Sequence, residues 1–516
     1  FIPGAAPGDE ARVRIVKDCK RYAFGILDEV LTPSPDRIPV DCAVAGPCGG
    51  CSLRHLDYAA ELRAKQENVA DAFARIGGLD VPVLPIVGSP EVNRYRNKVQ
   101  FPVGVDKSGK PCIGFYAGRT HRIVPCPDCR LQPGVLNEIG NALCAFFAEK
   151  GIQPYSEETG RGLVRHIFLR RGAHSGQIMV CLVCTRAKLP SAEELCTRLK
   201  AQFAEITTIL LNVNAKNTNV ILGTETHTLY GQGYIEDTLC GVPVQLGPLS
   251  FYQVNTLAAE QLYGIAAQYA QLTPDDLLLD LYCGMGTIGL SMAAHCRELI
   301  GVEIVPEAIE SAKANAARMG ADVAAKSRFF CADAGQAATR LAAEGLHPDI
   351  VMLDPPRKGC DEATLSAVVR MSPRRVVYVS CNPATAARDA AWLEQNGYHA
   401  EKVQPVDLFP RTRHCEAVLL LTKLHVERHI EVDVSMDELD VTAAESKATY
   451  NEIRDYVWEH HQLKVSNLYI AQVKQKYSII ERENYNKAKN ENAKQPKCPK
   501  EKEDAIVEAL KHFQMI

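Results

Sequence analysis

Apolar residues recur along this chain in two different periods. From about residue 254 onward, short apolar runs alternate with segments in which apolar side chains return every three or four positions. The runs predict buried strands of a parallel sheet, and the longer segments predict helices that cover it. The predicted helices are 256–271, 287–295, 306–319, 361–371 and 384–396, and the predicted strands are 277–281, 299–303, 349–353 and 375–380. This alternation predicts a doubly wound α/β domain that closes near Lys423.

The first half of the chain follows the two-residue period of strands instead. Residues 10–16 and 22–27 predict short strands, and alternating segments dominate again between about 94 and 250. Helices are predicted at three places, 57–77, 134–150 and 191–203. A β-rich region is therefore predicted ahead of the α/β domain.

Beyond residue 423 the composition is that of a small, mainly helical extension. An acidic segment, 431–440, comes first, and Thr442-Ala-Ala-Glu445 then resembles a capping box that opens a helix. The Lys-rich segment 484–502 predicts a loop, and residues 503–513 predict a short amphipathic helix.

Length and composition narrow the class of protein. The 516 residues predict about two to four domains, and the mixture of 46% hydrophobic and 23% charged residues is that of a globular chain. No apolar stretch reaches the roughly 20 residues of a transmembrane helix, so no membrane partner is expected. The chain starts Phe1-Ile2-Pro3-Gly4, without an initiator Met or a signal-peptide pattern. We expect it to begin partway through a longer reading frame, and we expect a monomer.

Charge is distributed unevenly. The net charge of −4 argues against a uniformly basic nucleic-acid-binding protein. Between residues 94 and 122, however, seven basic residues stand against one acid, and four aromatic residues are interleaved with them. The basic residues are Arg94, Arg96, Lys98, Lys107, Lys110, Arg119 and Arg122, and the aromatic residues are Tyr95, Phe101, Phe115 and Tyr116. Basic side chains can contact phosphates while aromatic rings stack on unpaired bases, which predicts an RNA contact. The alternative is the solvated edge of a sheet.

A glycine turn joins one predicted strand to a helix. The segment from Asp280 to Gly289 contains Gly284-x-Gly286-x-x-Gly289, which lets the backbone approach a nucleotide-type cofactor closely. Glu303 ends the next strand, where a carboxylate can accept hydrogen bonds from ribose hydroxyls. This pattern alone does not distinguish a nicotinamide dinucleotide from S-adenosylmethionine.

Two reactive side chains follow predicted strands of the same sheet. Asp354 comes directly after one strand and Cys381 after the next, which places both at the carboxyl edge, where open α/β sheets bind ligands. A thiolate that adds to carbon 6 of uracil makes carbon 5 nucleophilic, so that it can accept a methyl group. Glu416, in Arg411-Thr-Arg-His414-Cys-Glu416, is the candidate base for the carbon-5 proton. The residues therefore predict covalent methyl transfer to a pyrimidine.

Nineteen cysteines without a secretory signal predict a reducing, cytoplasmic location, in which clustered cysteines indicate metal or catalytic sites. Cys42, Cys48 and Cys51 share one Gly/Pro-rich loop, and Cys126 and Cys129 compete for the place of a fourth ligand. Four thiolates suit an iron–sulfur cluster or zinc, and the spacing leaves both open. By contrast, Cys181-x-x-Cys184 lies in a predicted strand, where residues three apart face opposite sides, so it is predicted to fill the core.

Four motifs together resemble the signature of the RNA uracil-C5 methyltransferase family. They are Asp354-Pro-Pro-Arg357-x-Gly359, Ser380-Cys-Asn-Pro383, His414-x-Glu416 and Phe251-Tyr-Gln253-Val-Asn255. The resemblance implies Cys381 as the nucleophile and Glu416 as the proton acceptor. It also implies S-adenosylmethionine as cofactor, bound by Gln253, Tyr282, Glu303 and Asp354, with Asp333 as a further contact on the adenine side.

The resemblance extends over about residues 1–423 and implies a domain organisation. Residues 1–33 resemble the second half of a TRAM β-barrel, an OB-like RNA-binding domain. Residues 34–250 correspond to a β-rich central domain with the cysteine loop, and 251–423 to a Rossmann-like S-adenosylmethionine methyltransferase domain. Residues 424–516 form a mainly helical extension outside the common family pattern, and its role is not predicted.

The cysteine motif resembles that of the branch that carries a [4Fe-4S] cluster and modifies 23S ribosomal RNA; the tRNA branch lacks the cluster. It implies Cys42, Cys48, Cys51 and Cys129 as ligands, because aligning His121-x-Ile-Val124 with the family pattern puts the fourth ligand at Cys129. The expected function is methylation of carbon 5 of a uridine in 23S ribosomal RNA. The alternatives are a tRNA uridine-C5 methyltransferase, a non-catalytic RNA- or ribosome-binding protein and, from the glycine pattern alone, a nicotinamide-dependent oxidoreductase.

Overall fold

The computed structural model describes residues 1–20, 22–118, 120–216, 218–424, 449–477, 498–513 and 515–516. The chain divides into two compact units, Phe1–Val426 and Glu427–Ile516. The predicted domain boundaries at 33/34, 250/251 and 423/424 stay predictions.

The first unit begins with an antiparallel hairpin. Its strands are β1 (Glu10–Asp18) and β2 (Ala23–Thr32), in agreement with the predicted alternation. Helices α1 (Ala45–Cys48) and α2 (Tyr58–Asp71) follow, and α2 continues as a π-helical segment, Ala72–Gly77. The Asp57 side chain caps α2 by accepting a hydrogen bond from the backbone N–H of Ala60 at 3.0 Å.

A seven-stranded mixed sheet forms the central part of this unit. In spatial order its strands are β5-β4-β3-β6-β7-β8-β9, and only the β7–β8 pair is parallel. The strands are β3 (Lys98–Val105), β4 (Pro111–Tyr116), β5 (Ile123–Pro125), β6 (Val164–Arg171), β7 (Ile178–Cys184), β8 (Ile206–Val213) and β9 (Glu225–Tyr230). Helices α3 (Gly134–Glu149) and α4 (Ala192–Gln202) share a core with this sheet, and a hairpin of β10 (Ile235–Leu239) and β11 (Val242–Leu246) follows it.

A second seven-stranded sheet forms the α/β part, in the spatial order β14-β13-β12-β15-β16-β18-β17. Its strands are β12 (Leu277–Leu281), β13 (Glu298–Glu303), β14 (Ser327–Cys331), β15 (Ile350–Leu353), β16 (Arg375–Ser380), β17 (Tyr398–Val406) and β18 (Glu416–Lys423). Its helices are α5 (Thr256–Ala270), α6 (Thr287–Met292), α7 (Pro306–Arg318), α8 (Ala321–Lys326), α9 (Ala334–Ala343), α10 (Glu362–Met371) and α11 (Pro383–Gln395). Strands β12 to β16 are parallel, and β18 is antiparallel to β16 and β17. The predicted Rossmann-like α/β fold is confirmed.

Strand β14 was not predicted from the sequence. It lies at the edge of the sheet, and each of its residues is exposed or only partly buried; Phe330, for example, is 39% exposed. An edge strand buries too little surface to show the continuous apolar run of the central strands.

The segment that follows the cysteine loop packs against the α/β sheet rather than against the central one. Val69 and Phe73, from α2 and its π-helical extension, lie in the same buried cluster as residues of β12, β15 and β16. Val83 and Val87 then form isolated parallel bridges to β17. The segment that follows the cysteine loop is therefore tied to the α/β sheet.

The second unit is helical within its described residues. Its helices are α12 (Tyr450–His461), α13 (Asn467–Lys476) and α14 (Lys500–His512), and they share an apolar core. The capping box predicted at Thr442–Glu445 lies outside the described residues; the described helix starts instead at a capping box of Thr449 and Glu452. Helix α14 was predicted to begin at residue 503, but it begins at Lys500, inside the predicted loop. Pro499 is its N-cap residue and has an extended backbone.

Among the described helices, none combines the length and apolar character required to cross a membrane.

Candidate active site

Cys381 and Glu416 lie at neighbouring strand ends. Cys381 follows the last residue of β16, Glu416 is the first residue of β18, and the antiparallel pairing joins Ser380 to Ala417. The thiol is half-buried, and Glu416 is 5% exposed. The structure thus brings the two residues together from positions 35 apart in sequence (416 − 381 = 35).

Asp354 and Arg357 complete the polar surroundings of the thiol. Burial first, and then the charges of Glu416 and Asp354, raise the pKa of Cys381, whereas the charge and hydrogen bond of Arg357 lower it. The Arg357 backbone carbonyl accepts hydrogen bonds from Asn382 Nδ2 at 2.9 Å and from Thr385 Oγ1 at 3.3 Å. The loop after β15 is therefore fastened to the turn that carries the thiol.

Burial moves the pKa values of Asp354 and Glu416 toward neutral pH. Burial raises the pKa of Asp354 to about 7. Burial also raises the pKa of Glu416 to about 8; the Asp354 charge adds to this increase and Arg357 opposes it. A carboxylate with a pKa close to neutral is suited to accept and release a proton during turnover.

The glycine turn after β12 is held by two carboxylates. Glu303 Oε2 accepts a hydrogen bond from the N–H of Gly284 at 3.1 Å, and its Oε1 accepts from Ile304 and Val305 at 2.9 and 3.0 Å. Asp280 Oδ2 accepts from the N–H of Gly289 at 3.0 Å, and burial raises the pKa of Asp280 to about 8. The turn and the end of β13 are thereby fixed to one another.

Tyr282 lies within this turn, and Gln253 lies just before α5. Tyr282 has a left-handed backbone (φ +65°), and its hydroxyl lies 3.4 Å from Thr364 Oγ1 of α10. The Tyr263 hydroxyl lies 3.4 Å from Thr287 Oγ1; burial and then the charge of Asp354 raise the pKa of Tyr263, and the Gln253 side chain lowers it. Gln253, Tyr263 and Asp354 are thus neighbours. Asp333 caps α9 by accepting from the N–H of Gln336 at 3.1 Å.

Two contributors to the site carry no signal in the sequence. Asn97 Nδ2 donates to the backbone carbonyl of Gln253 at 2.8 Å and to Thr256 Oγ1 at 2.9 Å, which orders the start of α5. Tyr263 is a buried residue of α5 and reads as core in the helical pattern. The partners of Asn97 are distant in sequence, and Tyr263 cannot be told apart from the other buried residues of α5. The contribution of each residue to the site is therefore visible only in the folded structure.

Five thiols line a separate cavity of about 130 Å³. They are Cys42, Cys48, Cys51, Cys126 and Cys129. Among the described residues, no group of three or more His, Cys, Asp or Glu side chains has metal-binding geometry. The side chains around the cavity nevertheless suit a group held by thiolates. Arg54 and Arg96 also line it, and their buried Nε atoms lack a hydrogen-bond partner, so they can donate to a negatively charged group there.

Cys181 and Cys184 pack in two different cores, as predicted for a strand.

The basic and aromatic residues predicted to contact RNA divide between surface and core. Phe101 is fully buried, and Tyr95 is 5% exposed with its hydroxyl donating to the Pro410 carbonyl at 3.0 Å. Burial, together with the charges of Arg170 and Arg96, lowers the pKa of Lys98 to about 8. Arg119 lies outside the described residues. The RNA contact stays a prediction.

Comparisons with known proteins agree with this geometry. The family described as tRNA (uracil-5-)-methyltransferase matches residues 173–424. An uncharacterized RNA methyltransferase of Halalkalibacterium halodurans is 43% identical over 422 residues, which cover 82% of this chain and 91% of that protein. One of Clostridium tetani is 42% identical over 422 residues, with the same coverage.

The chain belongs to the tRNA (uracil-5-)-methyltransferase family. A solved structure supports the assignment: the Pyrococcus abyssi tRNA (uracil-54, C5)-methyltransferase in complex with S-adenosyl-L-homocysteine has a TM-score of 0.65 and 27% identity to this chain. The match covers 82% of this chain and 95% of that one. This protein is thus an RNA uracil-5-methyltransferase with the fold of S-adenosylmethionine-dependent enzymes.

Proposed function

We propose that this enzyme methylates carbon 5 of a uridine in 23S ribosomal RNA through a covalent adduct between Cys381 and carbon 6 of the base. The observation that carries this proposal is the position of Cys381 and Glu416 at neighbouring strand ends. Carbons 5 and 6 are adjacent ring atoms, so the groups that act on them must themselves lie side by side.

Cys381 acts at carbon 6 and Glu416 at carbon 5, and the cofactor supplies the methyl group. The Cys381 thiolate forms a bond to carbon 6, and the electron pair of the ring double bond moves to give an enolate. Carbon 5 takes the methyl group from the sulfonium, which leaves as the thioether. Glu416 removes the proton from carbon 5, the carbon 6–sulfur bond breaks, and the thiolate is restored. The base must leave its stack to expose carbon 6, so we expect a flipped or loop uridine.

S-adenosylmethionine supplies the methyl group as a sulfonium. Gln253, Tyr282, Glu303 and Asp354 are the residues proposed to bind it. Tyr282, Glu303 and Asp354 lie at the carboxyl ends of β12, β13 and β15. Gln253 and Asp354 both act on the pKa of Tyr263, which places Gln253 near the same edge.

We propose that Cys42, Cys48, Cys51 and Cys129 hold a [4Fe-4S] cluster. The resemblance of the cysteine motif supports iron. The cavity between the thiols also supports it, because a [4Fe-4S] cubane needs room for four irons and four sulfides. A single zinc ion would instead be bound directly by four thiolates that lie close together. Anaerobic purification with iron, zinc and sulfide analysis tests this. Cys129→Ser should lose iron and Cys126→Ser should retain it; zinc without sulfide would contradict the assignment.

The ribosomal target rests on the resemblance of the cysteine motif. A tRNA uridine is the second candidate, because the similar solved enzyme of Pyrococcus abyssi is named for tRNA. Mapping 5-methyluridine in both RNAs from a strain that lacks this gene distinguishes them. The missing modification should return with wild-type protein and not with Cys381→Ala; if neither RNA changed, the non-catalytic alternative would gain support.

RNA that contains 5-fluorouridine tests the covalent step. Fluorine at carbon 5 cannot leave as a proton does, so the methylated adduct should persist and migrate as a protein–RNA complex in a denaturing gel. Cys381→Ala should form none, whereas Cys331→Ala, which alters an exposed thiol, should form as much as wild type. A wild-type enzyme that methylates uridine yet gives no complex with the fluorinated RNA would rule out the mechanism.

A further inference from the structure

The segment between β17 and β18, residues 407–415, ends at the carboxylate proposed as proton acceptor. Near its middle, Arg411 is 9% exposed and has a left-handed backbone (φ +68°), which side-chain-bearing residues rarely adopt. Its N–H donates to Glu61 Oε1 at 2.6 Å, and its guanidinium Nη1 donates to the Leu56 carbonyl at 2.8 Å. These contacts fasten the segment to the start of α2, about 350 residues away in sequence.

Glu61 belongs to a buried network of four charges. Lys65 Nζ donates to Glu61 Oε1 at 2.7 Å, to Asp407 Oδ1 at 2.8 Å and to the Phe409 carbonyl at 3.1 Å. The side chains of Glu61, Lys65 and Asp407 are at most 1% exposed, and Arg411 Nη1 lies 3.5 Å from Glu61 Oε2. Two carboxylates and two cations balance in charge, so removing one member leaves an uncompensated buried charge.

The same arginine also contacts the cysteine loop. The Arg411 carbonyl accepts hydrogen bonds from the N–H groups of Ser52 at 2.9 Å and Leu53 at 3.1 Å. Cys51, which lines the thiol cavity, directly precedes Ser52. One residue therefore holds the end of the cysteine loop by its carbonyl and the start of α2 by its amide and side chain.

We propose that Arg411 is a positioning residue for proton transfer: it sets the path of the chain from Asp407 to Glu416 and so keeps the carboxylate beside Cys381. This inference rests on the proposed role of Glu416. Glu416 follows five residues after Arg411 and is the first residue of β18, so it directly continues this connection. A shift at the left-handed peptide therefore reaches the Glu416 carboxylate first, whereas Cys381 follows β16 and lies outside the connection.

Two assays separate this role from a general structural one. Adduct formation with 5-fluorouridine RNA needs the thiol and the methyl donor but no removal of a carbon-5 proton. Release of tritium from RNA labelled at carbon 5 requires that proton to leave. Arg411→Lys keeps the positive charge and loses the forked geometry, so it should slow tritium release by about 100-fold and slow adduct formation by no more than about threefold. Glu61→Gln should shift the two rates in the same unequal way.

Arg374→Lys is the matched control. Arg374 pairs with Asp276 at 2.6 and 2.7 Å at the amino ends of the strands, away from Cys381. Its two rates should change equally, if at all, and thermal melting of each variant identifies loss of folded protein. The inference would be overturned if the two rates of Arg411→Lys fell equally. It would also be overturned if the folded Arg411→Lys protein kept both wild-type rates. If wild type itself forms no adduct, the proposed function fails first and this inference fails with it.

Discussion

Cys381 and Glu416 occupy neighbouring ends of two antiparallel strands, one residue beyond the Ser380–Ala417 pair. The sulfur follows the end of β16 and the carboxylate opens β18, so the pairing of these two strands brings both groups to the same edge of the sheet. This arrangement suits a reaction at two adjacent carbons of one ring, and it allows the two groups to be tested one at a time.

Changing Glu416 to Gln should stop the reaction after methyl transfer. The amide cannot accept the carbon-5 proton, so turnover should fall by about 10²- to 10⁴-fold while the thiol still adds to the base. Ordinary uridine RNA should then give a protein–RNA complex that is stable in a denaturing gel and carries the transferred methyl group. Glu310→Gln, on an exposed face of α7, is the control and should turn over normally. A loss of turnover without any complex would assign Glu416 an earlier role.

The rate of the chemical step should rise with pH. Glu416, with its pKa raised to about 8, is mostly protonated below that pH and must lose its proton to act as a base. The pKa of the Cys381 thiol is raised as well, and only the thiolate is nucleophilic. The logarithm of the single-turnover rate should therefore rise by at least about 1 per pH unit between pH 6 and 7. A flat profile from pH 6 to 8 would contradict these assignments.

The central strands were predictable because burial on both faces leaves a continuous apolar run. The strands predicted at 277–281 and 375–380 match β12 and β16. β14 was missed because its edge position leaves exposed residues in the pattern. The antiparallel pairing that brings Glu416 beside Cys381 depends on the order of strands in space, which no local pattern records.

The candidate site was predictable only where a local motif carries it. Cys381 and Asp354 follow apolar runs, so their place at the sheet edge could be inferred from the sequence. Asn97 and Arg411 are single polar residues whose partners lie 156 and 350 positions away. Their contributions arise from tertiary contacts alone.

Glu303 should matter for cofactor affinity and not only for the shape of the turn. Glu303→Gln places an amide donor where the carboxylate accepts from backbone N–H groups, and it removes the charge proposed to face ribose hydroxyls. Loss of such a charged hydrogen bond corresponds to about 1.5–3 kcal/mol, or roughly 10- to 150-fold in the dissociation constant of S-adenosylhomocysteine. Calorimetric titration measures it. Glu298→Gln, at the other end of β13, is the control; equal affinity in both variants would argue against Glu303 as a binding residue.

Two glycine-to-alanine changes in neighbouring helices should have opposite effects. A Cβ at Gly289 would lie 2.8 Å from both Asp280 Oδ2 and Leu299 Cδ1, so Gly289→Ala must displace the carboxylate that holds the glycine turn. Such overpacking costs about 1–3 kcal/mol, and we expect a lower melting temperature and weaker cofactor binding. Gly264 is an exposed position of α5 with nothing within 4 Å of the added carbon, so Gly264→Ala should stabilise by about 0.5–1 kcal/mol. Thermal unfolding with and without S-adenosylhomocysteine measures both changes. A Gly289→Ala enzyme with unchanged melting temperature and affinity would show that the turn tolerates the side chain, and that close contact with Asp280 does not shape the cofactor site.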